Sequence, residues 1–192
     1  MNRPPLSNNR PNFQWRDCGY VAKSLNPKDA NEKYLGWIAD GSLMAALNLP
    51  ARKLSLAELS ANIDKFDQRT KILLGIYRDV PVLEFIGVFI LDLNGEHRIA
   101  RLSGFLGEKG PHRNFIAFAR SAFRHLFENR GVEKIRVQVA VENEAAQAAC
   151  WLLGMRKEGL LRGEIRRFDG SGRSDQIAYG LLKTDWPKSL PK

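Results

Sequence analysis

Between Arg98 and Met155 the spacing of apolar positions changes repeatedly, and each change marks a new element. Arg98 to Leu106 reads as an extended strand. Phe115, Ala119, Ala122, Phe123, Leu126 and Phe127 then fall on one face of a helix, with Arg120, Arg124 and Glu128 on the other. Pro111 stands ahead of this helix, Asn114 is placed to cap it and Gly131 to end it. Next, Ile135, Val137, Val139 and Val141 alternate with Lys134, Arg136, Gln138 and Ala140, the pattern of a strand buried on one face. A short alanine-rich helix from Glu144 to Leu153 is opened by Asn143 and stopped by Gly154. A loop of backbone N–H groups between a strand and a helix start captures anions. The spacing therefore predicts a ligand rich in phosphate at the glycine- and base-bearing loop before Phe115.

The flanking regions complete a mixed α/β (α+β) pattern. Gly19 to Leu25 is a first strand, ended by Asn26-Pro27. Asp29 to Asp40 carries Tyr34, Leu35, Trp37 and Ile38 at helical spacing, with Gly41 as its stop. Ser55 and Glu58 form a capping box ahead of the stripe Leu56, Leu59, Ile63 and Phe66. Lys71 to Arg78 and Val82 to Leu93 read as strands, and the turn Asp92 to Glu96 is hairpin chemistry. Two last strands, Met155 to Phe168 and Asp175 to Lys183, flank the turn Asp169 to Arg173. The expectation is one domain over 19–186, with a mostly antiparallel sheet of six to seven strands and about four helices. Residues 1–18 read as a flexible arm and 187–192 as a tail.

Composition narrows the class. With 192 residues and 44% hydrophobic positions the chain can bury a real core. The two cysteines, Cys18 and Cys150, are far apart and lack metal-ligand spacing, which argues for a reducing cytoplasm, against a disulfide framework and against a metal site. No stretch approaches the length of a membrane span, so no membrane partner is expected. The formal charge of +9 is spread along the chain rather than gathered in one block. That favours a field drawing in anionic small molecules over a nucleic-acid surface. A homodimer through the sheet edge or the first helices is left open.

The order of elements, together with particular residues, resembles the GNAT superfamily of acyl-CoA-dependent N-acyltransferases. The nearest subgroup is the one that includes ribosomal-protein N-terminal acetyltransferases. The residues that carry the resemblance are Gly104 to Gly110 with the helix after them, Leu126-Phe127-Glu128, Gly131 to Ile135, Asn143, Leu153-Gly154-Met155, Glu158-Gly159, Tyr179 to Lys183 and Asp185-Trp186. The resemblance implies acetyl-CoA as co-substrate, held where two strands splay apart. Gly104, Phe105, Leu106 and Gly107 would pair with its pantetheine arm, and the start of the next helix would take its pyrophosphate. The family's Q/R-x-x-G-x-G/A signature falls on Gly110 to Phe115, which implies Gly110, His112, Arg113, Asn114, Phe115 and Ile116 as contacts. Arg113 and Phe115 stand where the family has glycines, and Pro111 lacks an N–H. His112 and Arg113 offer side-chain charge in exchange.

The implied reaction is direct acetyl transfer to a primary amine: a peptide N-terminus, an amino sugar or a small amine. Many members place a Tyr seven residues after the Asn, where this chain has Cys150. Cys150 is thus a candidate proton donor, beside the commoner reading as a small core residue. Glu142 is the best acidic candidate for proton acceptor, and Ser103 a candidate water-mediated relay. The strand before the loop carries Arg98 and Arg101 where some relatives use a Glu. Asn143 reads both as an N-cap and as a neighbour of the cofactor. Trp151 reads as a cofactor contact or as core. Trp37, Asp40, Met44 and Leu47 would form the acceptor wall. The alternatives are a non-catalytic acyl-CoA-binding domain, motivated by the altered loop and missing Tyr, and a basic nucleic-acid or ribosome-associated module.

Overall fold

A computed structural model describes residues 13–108 and 114–186. Its strands are β1 (Gln14–Asp17), β2 (Tyr20–Ser24), β3 (Lys71–Arg78), β4 (Glu84–Asn94), β5 (Ile99–Leu106), β6 (Lys134–Ala140), β7 (Arg156–Arg166) and β8 (Arg173–Leu182). Its helices are α1 (Glu32–Ala39), α2 (Gly41–Ala46), α3 (Leu56–Asp64), α4 (Phe115–Asn129) and α5 (Glu144–Leu152). The strands form one sheet in the order β1-β2-β3-β4-β5-β6-β8-β7. All neighbours are antiparallel except β5 and β6.

Strand alternation gives the sheet two apolar faces. On one, Val21, Leu25, Leu73, Tyr77, Phe85 and Val88 pack against Trp37 of α1 and Leu59 and Ile63 of α3. On the other, Ile72, Leu91, Ala100, Ile135, Val139 and Leu181 meet Phe118, Phe123, Leu126 and Phe127 of α4 and Cys150 of α5. The helices thus split by chain order, α1–α3 on one face and α4–α5 on the other.

The fold class agrees with the sequence pattern, and the differences have local causes. The eighth strand is β1, at residues read as part of the arm. Its short polar run pairs with β2, Phe13 beside it is buried, and the Asp17 carboxylate accepts from the buried Ser121 hydroxyl of α4. Gly41 does not stop a helix but begins α2, because the Asp40 carboxylate accepts from the N–H groups of Ser42 (2.8 Å) and Leu43 (3.0 Å). Asn114 does not cap α4 with its side chain: it sits in the left-handed region at φ 62°, which Asn tolerates. The His125 ring packs on Trp15 at 4.6 Å, and burial with the Arg130 charge depresses its pKa. The Ser55–Glu58 capping box forms as its spacing predicts.

Candidate active site

The two parallel strands part company early. Ile99, Ala100 and Arg101 of β5 pair with Lys134, Ile135 and Arg136 of β6, and the pairing stops there, although both strands continue to Leu106 and Ala140. Hydrogen-bond phase tells which groups this leaves free. The Gly107 N–H donates to Ile86 O at 2.9 Å, so the odd-numbered residues of β5 exchange bonds with β4. The Lys134 N–H donates to Arg98 O at 3.3 Å, which aims the even-numbered residues of β5 at β6. Past Arg101, the N–H and C=O groups of Gly104 and Leu106 therefore face an opening across which no described strand pairs with them. The even-numbered β6 residue Gln138 faces the same opening from the other side.

Packing holds the opening's edges in place. A Cβ at Gly104 would lie 2.6 Å from Phe89 Cα, and its φ of +153° favours glycine. A Cβ at Gly107 would overlap the indole of Trp37, so α1 closes over the end of β5. Lys33 adds an ion pair to Glu108 at 3.1 Å. On the far side the β7–β8 hairpin reaches back to α2: Asn48 donates from its amide to Arg166 O at 2.9 Å. The opening is thus the floor of a cleft between α1–α2 and the β7–β8 hairpin, with the start of α4 near one end of β5.

No protein-family model matches the chain, and no curated protein sequence matches it. Solved structures do. A spermidine N-acetyltransferase from Vibrio cholerae, in complex with CoA and spermine, superposes with a TM-score of 0.74 at 20% identity, covering 88% of this chain and 99% of that one. The microcin C7 self-immunity acetyltransferase, in complex with acetyl-CoA and AMP, gives 0.72 at 16% identity, over 86% and 93%. A ribosomal-protein-S5-alanine acetyltransferase from Vibrio fischeri gives 0.66 at 14% identity, over 91% and 99%. The fold is that of the GNAT acetyltransferases. At these identities the likeness speaks for the fold, and the chemistry has to be argued from the residues.

Within this GNAT fold the expected site residues separate into groups. Gly104 and Leu106 offer open backbone groups, while the N–H of Gly107 is taken by β4 and Phe105 exchanges with Val88. Gly110, His112 and Arg113 lie outside the described residues. Of the helix start, Asn114 is exposed and Ile116 half-buried. Phe115 joins an aromatic cluster with Tyr20 at 5.5 Å, Phe118 at 6.0 Å and Phe89 at 6.2 Å. The side chain in a family glycine's slot therefore packs inward.

Asn143 caps α5, accepting from the Ala146 N–H at 3.0 Å. Cys150 is only 4% exposed, and burial pushes its thiol up to about 11. It packs α5 onto the sheet. Glu142 is not a free base: its carboxylate accepts from the Ser174 hydroxyl at 2.8 Å and pairs with Arg167. Ser103 is exposed on the α1–α3 face of β5. Trp151 is 74% exposed, which excludes the core reading. Of the acceptor wall, Trp37 and Met44 are buried, and Asp40 is spent on capping α2. Among the described residues no group of His, Cys, Asp and Glu could hold a metal ion, and no helix is long and apolar enough to cross a membrane.

Periodicity singled out neither Gln138 at the opening nor Tyr179 one strand beyond it. Gln138 stood in the sequence only as the polar half of an alternating strand. Tyr179 of β8 stands beside Val137, the first β6 residue beyond the parallel pairing, and lies in electrostatic range of Cys150. Burial, and then the Cys150 thiol, raise its pKa.

Proposed function

We propose that the chain is an acetyl-CoA-dependent N-acetyltransferase that moves an acetyl group directly to a primary amine. The observation that carries this reading is the unpaired backbone edge of Gly104 and Leu106, facing Gln138 across an opening in an otherwise paired sheet. Backbone groups inside a sheet, away from its edge strands, ordinarily find partners. An edge left open beside a helix start suits an extended arm with amide groups and a pyrophosphate, and acetyl-CoA has both. The related structures with CoA and with acetyl-CoA support the same ligand.

When bound, acetyl-CoA supplies an activated acyl thioester. The chain's part is positioning and charge management. Gly104 and Leu106 hold the arm by their N–H and C=O groups, and the start of α4 takes phosphate with help from His112 and Arg113. A backbone N–H within the opening polarises the carbonyl. Ser103, on the open face, orders the water that removes the amine's proton. Tyr179 rather than Cys150 returns a proton to the leaving thiolate, since Tyr179 is half-buried on the strand that flanks β6 while Cys150 is sealed in the core.

A non-catalytic acyl-CoA-binding domain is the second reading, favoured by the burial of Cys150 at the slot where many relatives carry a tyrosine. Calorimetry with acetyl-CoA, followed by thiol release across a panel of amines, tests both. No binding at millimolar ligand rules out both readings, and binding without turnover selects the second.

A further inference from the structure

Where β5 and β6 part, the last paired residues are both arginines. Ala100 and Ile135, their neighbours in sequence, are fully buried on the α4–α5 face, so alternation turns Arg101 and Arg136 to the opposite, acceptor-side face. They are register partners on adjacent strands, roughly 5 Å apart at the backbone. Ser103 and Gln138 lie two residues further along the same face. Like charges in register repel, so a pair of this kind ordinarily carries a counter-charge.

Neither guanidinium has one among the described residues. Several other basic side chains do, among them Lys33 with Glu108, Arg78 with Glu84, Arg98 with Glu133, Lys134 with Glu158 and Arg167 with Glu142. The groups sharing the face do not neutralise the pair. Asp92 of β4 is the register partner of Arg101 but also of Lys71 on its other side, and it lies in no ion pair with Arg101. Glu158, whose carboxylate lies over Gly180 next to Arg136, is bound to Lys134 at 2.7 Å. Arg156 beyond it pairs with Asp185 at 3.6 Å.

We infer that Arg101 and Arg136 form a subsite for an anionic group on the amine acceptor, so that the substrate is a primary amine bearing a carboxylate or phosphate. This rests on the acetyl-transfer reading for the word acceptor, though not for the anion subsite itself. Two adjacent guanidinium forks suit the planar or tetrahedral oxygens of such a group. The same two charges repel a polyamine, the ligand present in the spermine complex of the Vibrio cholerae relative.

The test pairs each anionic amine with an uncharged counterpart: O-phosphoethanolamine with ethanolamine, and 4-aminobutyrate with its amide, with spermidine as the cationic arm. Arginine Nε–H resonances are followed during titration, and acetylation is measured separately. The anionic amines should shift the Arg101 and Arg136 signals saturably, while ethanolamine and spermidine should not. Arg101→Gln and Arg136→Gln should each lower kcat/KM for the anionic amines about tenfold, the low end for a charge-assisted contact, with KM for acetyl-CoA unchanged. Arg101→Glu should swing the preference toward spermidine. Equal responses to phosphoethanolamine and ethanolamine, or an unchanged anionic-to-neutral ratio in the variants, would overturn the assignment. Saturable shifts without acetylation of any amine would uphold the subsite and refute the transfer; acetylation without an arginine response would do the reverse.

Discussion

Replacing Gly104 with Ala puts the fold and the proposed function to the test in one experiment. The new Cβ would lie 2.6 Å from both Cα and Cγ of Phe89, and nearer still to the Val88 carbonyl oxygen. Ordinary contact begins at 3.4 Å, so β5 must move away from β4 by more than about 0.8 Å, or β4 must yield by as much. Overpacking of this kind costs about 1–3 kcal/mol, and an L-residue held at φ +153° adds a comparable strain. A net loss of about 3 kcal/mol lowers the melting temperature of a chain this size by about 6–12 °C. The displaced strand also moves into the opening that Gly104 and Leu106 border. Losing one or two backbone hydrogen bonds to the ligand should weaken acetyl-CoA by about tenfold. Thermal unfolding and calorimetry are then read together. An unchanged melting temperature would show that β5 is not seated against β4 as described. A lowered melting temperature with unchanged acetyl-CoA affinity would remove the opening from the binding site.

Other consequences are narrower. Cys150→Ala should leave turnover nearly intact but remove a pH dependence. The native thiol pKa, about 11, lies above the unfolded value near 9, so its contribution is whole below pH 9 and fades as pH rises through 11; denaturant melts at pH 8 and pH 11 should show the wild type losing about 2 kcal/mol more than the variant. Tyr179→Phe should lower kcat about a hundredfold with little change in KM for acetyl-CoA, measured by thiol release, if its hydroxyl returns the proton; an unaltered kcat would remove that role. Ser55→Ala should cost about 1 kcal/mol of stability in urea melts, because the Glu58 N–H loses its acceptor at 3.2 Å. Amide hydrogen exchange at Gly104, Leu106 and Gln138 should be fast in the free protein and slow with saturating acetyl-CoA, and exchange that ignores the ligand would contradict the strand-like docking.

The elements were readable wherever one face of a segment had to be buried. Lys71–Arg78 and the long helix at Phe115–Asn129 emerge from periodicity almost to the residue, since a slip would expose Ile72 or Phe123. β1 and α2 did not emerge, because both are too short to show a period and are fixed by a partner distant in sequence or by one carboxylate. The opening itself has no periodic signature. Ile135, Val137 and Val139 alternate in the same way whether or not β5 runs alongside, so separation appears only in the pairing register. The family comparison supplied the expectation of a splay, while the phase of the hydrogen bonds selected Gly104 and Leu106 over Phe105 and Gly107. Trp151 shows the reverse limit: helical spacing allowed core as well as a cofactor contact, yet among the described residues α5 leaves it 74% exposed.

Charge links the two ends of the cleft. A formal +9 without a basic block is hard to explain by one nucleic-acid surface, but it suits a site with two anionic occupants. The phosphates of the proposed co-substrate belong near the start of α4, where Phe115 is anchored among Tyr20, Phe89 and Phe118. That packing fixes the direction of the helix start independently of ligand. At the closed end of the opening stand Arg101 and Arg136, the register pair proposed to receive the anionic group of the acceptor. In many enzymes a carboxylate near the reacting amine would lower the cost of a cationic substrate. Here β5 carries arginine at that level and Glu142 is committed to Arg167 and Ser174. A cationic acceptor would therefore meet uncompensated positive charge next to the reacting centre, and an acidic amine would meet the counter-charge that the fold leaves out.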